Sequence, residues 1–205
     1  MKQLSIAAKI WLSIGIFVIG FVFSTVLVEI QGLASEAALR SAWKDLFPAA
    51  QLARDADTAF QSAVRGFSDA VVIQEASGIG RAAGEGNLAL ANLRAVASMR
   101  GLPPGRARTA GALAAQLDPF LARARRTYGE VAGNPLQISR SLEQRMGELA
   151  TGTEAFRRSL SALREQTAED LRTQLATLSE QSRRQRLLAL LVFGFTVVLA
   201  AVIVN

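Results

Sequence analysis

The sequence predicts an all-α fold: a membrane-anchored antiparallel four-helix bundle whose long first and last helices continue into two transmembrane helices. Three observations support this prediction. Outside two apolar blocks, the composition is rich in strong helix formers and contains a single tyrosine. Apolar residues in the central part recur every three or four positions, which is the period of a helix face. The apolar blocks, residues 10–28 and 187–204, each approach the length of a membrane-spanning helix.

The composition also limits the chemistry. The chain has 205 residues and a formal charge of +6, and it contains neither cysteine nor histidine. It therefore lacks thiolate nucleophiles, disulfides, the commonest general base and the commonest metal ligand. We expect no enzymatic activity, no metal and no cofactor. The arginines are interleaved with acidic residues along helix faces, so we expect solvated surfaces and no nucleic-acid partner.

Residues 10–30 are predicted to form the first transmembrane helix. The apolar block follows Lys2 and Lys9, and positive charges beside a span favour the cytoplasmic side. A cleaved signal peptide is the alternative, with Gly32-Leu33-Ala34 as the small residues at which cleavage would occur. The block is longer than a signal-peptide core, so we favour an uncleaved span. Residues 1–9 are then cytoplasmic, and residues 31–186 lie outside.

The first outer helix is predicted from about Gln31 to Ser77. Pro48 interrupts it and predicts a kink or a restart there. Apolar positions along this helix alternate steps of three and four, which is the heptad pattern of packed helices. These positions are Leu39, Ala42, Leu46, Ala49, Ala53, Ala56, Phe60, Ala63, Phe67 and Ala70.

Two shorter helices are predicted next, at about Ala82–Arg100 and Arg106–Ala132. The glycine-rich stretch 78–86 is expected to cap the first helix and loosen the second. Residues 101–105, Gly-Leu-Pro-Pro-Gly, predict the loop between the two helices. Pro119 predicts a kink in the third helix.

The last helix is predicted to begin after Gly133-Asn134-Pro135 and to continue without interruption into the second transmembrane helix, residues 187–205. Its apolar seam slips by one residue between Leu163 and Leu171, near Thr167. A seven-residue repeat absorbs such a slip only through a local change of supercoil. The slip is either a flexible point or a harmless stutter.

Helix lengths predict a homodimer. At about 1.5 Å per residue, the first and last outer helices each reach roughly 70 Å, whereas the middle two reach roughly 30–40 Å. Four helices therefore pack together only in the half distant from the membrane. The apolar stripes nearer the lipid bilayer need a partner, and a second copy of the chain would complete a four-helix stalk. These stripe residues are Leu39, Leu46, Leu171, Leu175 and Leu178.

Several segments resemble the N-terminal sensory region of bacterial transmembrane receptors, which include sensor histidine kinases, methyl-accepting chemotaxis proteins and membrane-bound diguanylate cyclases. The segments are Met1-Lys2-Gln3-Leu4-Ser5-Ile6 leading to Lys9, Phe67-Ser68-Asp69-Ala70-Val71, and Phe156 with Leu160, Leu163-Arg164 and Ala168-Glu169. The resemblance implies a dimeric periplasmic bundle in a two-pass protein of the bacterial inner membrane. It also implies that the stimulus is a small anion or a periplasmic protein.

We therefore predict the sensory input region of a signal-transduction receptor, which relays a periplasmic stimulus by displacing its last helix. Such receptors continue into a linker and an output domain, and we expect an output module beyond Asn205. A histidine kinase output is favoured over a chemoreceptor or a diguanylate cyclase. The alternative is a structural two-span membrane protein whose external bundle docks or spaces partners.

The resemblance implies that arginines in the distal half bind the anion. The alternative is that these arginines are exposed and only keep the bundle soluble. Tyr128 lies beside the apolar face of the third helix, where ordinary core packing is the alternative to ligand binding. The candidate ligand-binding residues are Arg65, Arg94, Arg126, Tyr128 and Arg157, with Arg125 and Arg158 as further arginines of the same region.

Overall fold

The computed structural model describes residues 11, 14–15, 17–22, 25–26, 39–40, 42–133 and 139–204. Four long helices account for most of them, and a π-helical turn at Ala42–Leu46 leads into the first. No strand occurs in the described part of the chain, so the all-α prediction is confirmed. The helices are α1 (Phe47–Ile73), α2 (Ala76–Ser98), α3 (Pro104–Gly133) and α4 (Arg140–Val204).

The chain divides into two compact units. One comprises Ser41–Arg172, and the other comprises Met1–Arg40 together with Thr173–Asn205. In the second unit, the described apolar side chains include exposed ones such as Trp11 and Leu191. The predicted cytoplasmic segment 1–9 lies outside the described residues.

The predicted membrane topology is contradicted. A span needs about 20 consecutive apolar residues within one helix. Among the residues that the structure describes, no helix combines the length and the apolar character needed to cross a membrane. Only part of the first predicted span, 10–30, is described. This finding overturns the two-pass inner-membrane localisation, with its second span at 187–205 and its periplasmic domain at 31–186.

The start and end of α1 follow from local sequence. Pro48 lies in the first turn of α1, the position of an α-helix at which proline is best tolerated. The π-helical turn leads directly into α1, and Leu46 between them has right-handed helical dihedrals, so the chain is helical on both sides of the predicted kink or restart. The helix ends at Gln74, which adopts the left-handed conformation (φ 57°, ψ 36°) and whose N–H donates to the Val71 carbonyl.

The glycine-rich stretch 78–86 does not separate helices, contrary to prediction. It lies inside α2, which begins at Ala76. Two of its glycines permit close packing instead. A Cβ at Gly78 would lie 2.8 Å from the Ala70 Cβ, and a Cβ at Gly86 would lie 2.5 Å from a Leu121 methyl carbon. The α1–α2 turn is therefore formed earlier, by Gln74 and its neighbour.

The last two helices match the predicted positions more closely. Helix α3 starts at Pro104, within the predicted loop 101–105 and two residues before the predicted start at Arg106, and it continues through Pro119. Helix α4 follows a segment, residues 134–138, that lies outside the described residues. Ser139 caps α4, since its hydroxyl and its carbonyl both accept a hydrogen bond from the Leu142 N–H.

One hydrophobic core lies in the unit Ser41–Arg172 and draws on all four helices. Small alanines alternate with large side chains along α1, which lets neighbouring helices approach closely. Leu46 is buried in this core and Leu171 packs against it, so these two predicted stripe residues have partners within the chain. The largest fully buried apolar side chains are Phe60, Leu93, Leu117, Leu160, Leu163 and Val96.

Candidate functional site

A cluster of three aromatic rings joins three helices of the unit Ser41–Arg172. Phe60 of α1, Phe120 of α3 and Phe156 of α4 have ring centroids 4.9 to 6.2 Å apart, with planes tilted by 47 to 51°. Tilted pairs at these separations are favourable for aromatic rings. The cluster matters for the site because these rings line two surface clefts.

The first cleft, called here the arginine cleft, lies between α3 and α4 and has a volume of about 300 Å³. Its size is at the lower end of the range for ligand pockets, roughly 300–1,000 Å³. Its lining has an apolar floor and a charged rim. The floor consists of Phe120, Leu149, Gly152 and Phe156, and the rim of Arg123, Arg126, Thr127, Arg145 and Glu148.

Three of the rim residues come from one face of α3. Arg123, Arg126 and Thr127 are spaced at i, i+3 and i+4, which places them side by side on a helix. Neither arginine has an acidic partner among the described residues. Thr127 differs from Thr109 and Thr151, whose hydroxyls donate to the carbonyl four residues earlier. No hydrogen bond of this kind is formed by Thr127 within the described part of the chain.

The opposite rim is supplied by Arg145 of α4. Its terminal nitrogens donate to both carboxylate oxygens of Glu130, at 3.2 and 2.5 Å. Its Nε is buried and has no hydrogen-bond partner among the described residues. A buried donor left without an acceptor costs roughly 1–3 kcal/mol, and the residue that carries it lines the cleft.

The floor stays open because of Gly152. A Cβ at this position would lie 2.8 Å from the Phe120 ring. Phe120 and Leu149 are buried, and Phe156 is half-buried. The cleft therefore combines an apolar base with several cationic and hydroxyl donors at its edge.

The second cleft has a volume of about 280 Å³ and lies between α1 and α4. Arg65 and Arg157 face it from the two helices, and Thr153 adds a hydroxyl. Arg157 lies 3.7 Å from Glu154 of its own helix, which reduces the positive charge of this cleft. The other lining residues are Phe60, Gln61 and Val64.

Further along α4, two charged residues hold the helix to its neighbours, and a buried threonine lies between them. We call Arg164, Thr167 and Asp170 the polar segment of α4. The Arg164 guanidinium donates to Asp57 of α1 at 2.9 Å, and Asp57 is almost fully buried. Gln61 donates to the other Asp57 oxygen at 3.0 Å, so both oxygens of this buried carboxylate are satisfied.

The polar segment also binds α3. Arg106 donates to the two carboxylate oxygens of Asp170 at 2.8 and 3.3 Å, and to Gln166 at 2.9 Å. The hydrogen bonds with Asp170 raise the pKa of Arg106 above its ordinary value. Between these pairs the buried Thr167 hydroxyl contacts the Leu163 and Arg164 carbonyl oxygens, both at 2.9 Å. The predicted seam slip near Thr167 thus coincides with a polar layer.

The structure brings some of the predicted site residues together and separates others. Arg126 lies in the arginine cleft, whereas Arg65 and Arg157 share the second cleft. Arg94 lies in neither, since it forms an exposed ion pair with Asp118 at 2.7 Å. Tyr128 stacks on Phe67, with centroids 5.2 Å apart and an interplanar angle of 10°, and burial raises the pKa of its hydroxyl.

Arg123, Thr127 and Arg145 were not among the site residues predicted from the sequence. The spacing of the first two with Arg126 was a usable signal, because it places them on one face of a helix. Arg145 had no such signal, since its position across the cleft depends on how α3 packs against α4. The same holds for the Asp57–Arg164 pair, whose members are 107 residues apart.

No group of three or more potential metal ligands occurs in the part of the chain that the structure describes. Comparison with protein-family models, with characterised proteins and with solved structures finds no match to this chain. The functional interpretation therefore depends on the clefts and on the contacts of α4.

Proposed function

We propose that this chain is the sensory input region of a signalling receptor, in which ligand binding beside α4 displaces that helix. One observation carries the proposal. The α4 segment from Arg145 to Arg157 forms one wall of both clefts. A ligand in either cleft would therefore contact α4 directly, and Phe156 would transmit a shift to the aromatic cluster.

The proposal includes an antiparallel four-helix bundle formed by α1 to α4. Short connections favour antiparallel neighbours. The connection from α1 to α2 consists of residues 74–75, and that from α2 to α3 of residues 99–103. The shared core and the aromatic cluster support placing α4 against α1 and α3.

In this mechanism, the polar segment of α4 holds the helix in its ligand-free position. Its pairs with Asp57 and Arg106 each fix one geometry of α4 relative to a neighbouring helix. Helix shifts of about 1–2 Å at packed interfaces are typical of signalling proteins. A shift of this size would require the two pairs to rearrange, so α4 would have two discrete positions.

The output and the oligomeric state belong to the proposal as well. The resemblance favours a histidine kinase output over a chemoreceptor or a cyclase, and it favours a homodimer. Exposed Leu39 and Leu175 are available to a second copy of the chain. These parts rest on sequence patterns, because a fold alone does not define a function.

The relay can be tested by distance measurement in the full chain. Spin labels at exposed Arg54 of α1 and exposed Glu165 of α4 would report the position of α4. We expect the distance distribution to shift when nitrate, acetate or benzoate binds. If an anion raises Tm but leaves the distribution unchanged, the proposed relay is excluded for that ligand site. A label pair at Arg54 and Ser68, both on α1, is the control.

The docking function remains a second candidate because of two exposed apolar side chains. Val72 and Ile73, beside the α1–α2 turn, have relative exposures of 81% and 68%. Contiguous exposed apolar patches mark protein contacts, and these two adjacent side chains would contribute to such a patch. A docking scaffold predicts that Val72→Ser with Ile73→Ser abolishes its assembly, whereas a sensor predicts that the ligand-induced shift of α4 persists in the same variant.

A further inference from the structure

We propose that the arginine cleft binds a monocarboxylate carried on a flat apolar ring. The inference rests on the proposed sensory function, for which it names the site and the chemical class of the ligand. Three features of the cleft support it: its charge balance, its free donors and its aromatic floor. Each feature excludes a different class of small molecule.

The charge balance favours an anion with a single negative charge. Arg145 is already bonded to Glu130, and Glu148 accepts a hydrogen bond from Gln144 at 3.2 Å. Arg123 and Arg126 have no partner among the described residues. The three arginines carry three positive charges and the carboxylates of Glu130 and Glu148 carry two negative charges, so the net charge around the cleft is +1. A monoanion would neutralise this excess, whereas a dianion would leave the cleft with a net negative charge.

The free donors favour a carboxylate. Guanidinium groups offer planar pairs of N–H donors that match the two oxygens of a carboxylate. Thr127 lines the cleft, and neither its hydroxyl nor the buried Arg145 Nε–H has a partner among the described residues. A neutral ligand would leave the cationic donors unpaired, so a charged acceptor group is favoured.

The floor favours an apolar ring behind the carboxylate. Phe120 and Phe156 have centroids 4.9 Å apart with a tilt of 51°, so their shared surface offers both a ring face and a ring edge. The absence of a side chain at Gly152 keeps this surface open. Aromatic rings pack well against such a surface. The cleft volume of about 300 Å³ suits a ligand with one ring.

Calorimetric titration of the full chain with benzoate tests the inference. We expect saturable binding with one site per chain. Acetate lacks the ring and benzyl alcohol lacks the charge, so we expect each to bind at least roughly tenfold more weakly, because a tenfold change corresponds to the loss of about one good contact. Affinity for acetate equal to that for benzoate would overturn the role of the floor.

Two variants locate the site. Arg126→Gln should weaken benzoate binding roughly tenfold or more, as expected for loss of a charge-assisted contact. Arg94→Gln is the matched control, because it removes an exposed arginine of α2 that lies outside the cleft. Equal weakening in both variants would show a general charge effect and overturn the site. If Arg126→Gln unfolds, Arg123→Gln provides the same comparison on the same rim.

The outcome separates this inference from the proposed function. Benzoate binding that depends on Arg126 but leaves α4 in place supports the site and overturns the relay. Absence of saturable benzoate binding overturns the ligand class. In that case a shift of α4 with nitrate would still support the sensory function, and the second cleft would be the candidate binding site for nitrate.

Discussion

Asp57 carries a carboxylate but is almost fully buried, with a relative exposure of only 1%. Its charge is balanced by Arg164 and its second oxygen by Gln61. Burying a carboxylate is unfavourable unless it is paired and hydrogen-bonded. The pair is therefore a constraint on where α4 lies relative to α1, more than a net source of stability.

Replacing Arg164 by methionine should destabilise the chain by about 2–3 kcal/mol, because it leaves a buried carboxylate with one hydrogen bond. The free energy of unfolding in urea measures this loss. Arg157→Met is the matched control on the same helix, since its partner Glu154 is exposed and surface pairs contribute roughly 0–1 kcal/mol. Similar losses in both variants would contradict the special position of Asp57.

Tyr128 gives a prediction for alkaline pH. Burial raises its pKa in the folded chain above the ordinary value of about 10. The unfolded chain therefore loses this proton first as the pH rises. The stability linked to the neutral hydroxyl is fully present below the unfolded pKa and is lost as the pH rises through the folded pKa.

Tyr128→Phe should remove that alkaline loss. Urea denaturation from about pH 8 to about pH 11 would show a smaller decline of stability in the variant than in the natural chain. The Phe67 stacking contact is retained in the variant, so stability near neutral pH should change little. Identical alkaline declines in the two proteins would show that Tyr128 is not the responsible group.

Two glycines of helix α2 should respond oppositely to replacement by alanine: one change should destabilise the chain and the other should stabilise it. Gly78→Ala would place a methyl group 2.8 Å from the Ala70 Cβ, and Ala70 has no flexible side chain to move away. We expect a loss of about 1–3 kcal/mol from overpacking. Gly80→Ala meets no atom within 4 Å and should stabilise α2 by roughly 0.5–1 kcal/mol.

Thermal unfolding of these two variants gives a direct comparison. A lower Tm for Gly78→Ala and a higher Tm for Gly80→Ala would establish that α1 and α2 touch through Gly78. A higher Tm in both variants would mean that helix propensity alone determines the effect of each substitution. The close approach of α2 to Ala70 would then not be needed for stability.

The helices were largely predictable from sequence, and the exceptions have a physical reason. Periodicity predicted a helix at 106–132, and α3 spans Pro104–Gly133. The start of α2 was misplaced because the glycines at 78–86 were interpreted as helix breakers. Glycine also permits close helix packing, and which role applies depends on the neighbouring helix. Sequence periodicity carries no information about that neighbour.

At the scale of the whole molecule, the proposed homodimer leads to a crosslinking prediction. The chain contains no cysteine, so a single substitution gives one reactive thiol. Leu175 is 43% exposed, and Leu175→Cys should form a disulfide-linked dimer if a second copy covers this position. Gln51→Cys, at an exposed polar position of α1, is the control. A monomer in light scattering at all concentrations would refute the dimer.

The candidate site was predictable only in part. Arg126 was identified by the resemblance to sensory domains, and it does line a cleft. Arg94 was identified in the same way, yet it pairs with Asp118 on the surface. An arginine's role depends on whether a carboxylate or an open cleft lies within reach, and both depend on tertiary packing. Residue type and helix position therefore limited the set of candidate arginines, but they did not distinguish those that line a cleft from those that form surface ion pairs.

The narrow gap between Gly152 and the Phe120 ring has a consequence for sequence variation among relatives of this chain. Any larger residue at position 152 would collide with that ring, so positions 152 and 120 should change together. A relative with alanine or serine at 152 should carry a smaller side chain at 120. Such a relative would have a different cleft floor, and we would expect natural selection to have matched it to a different ligand.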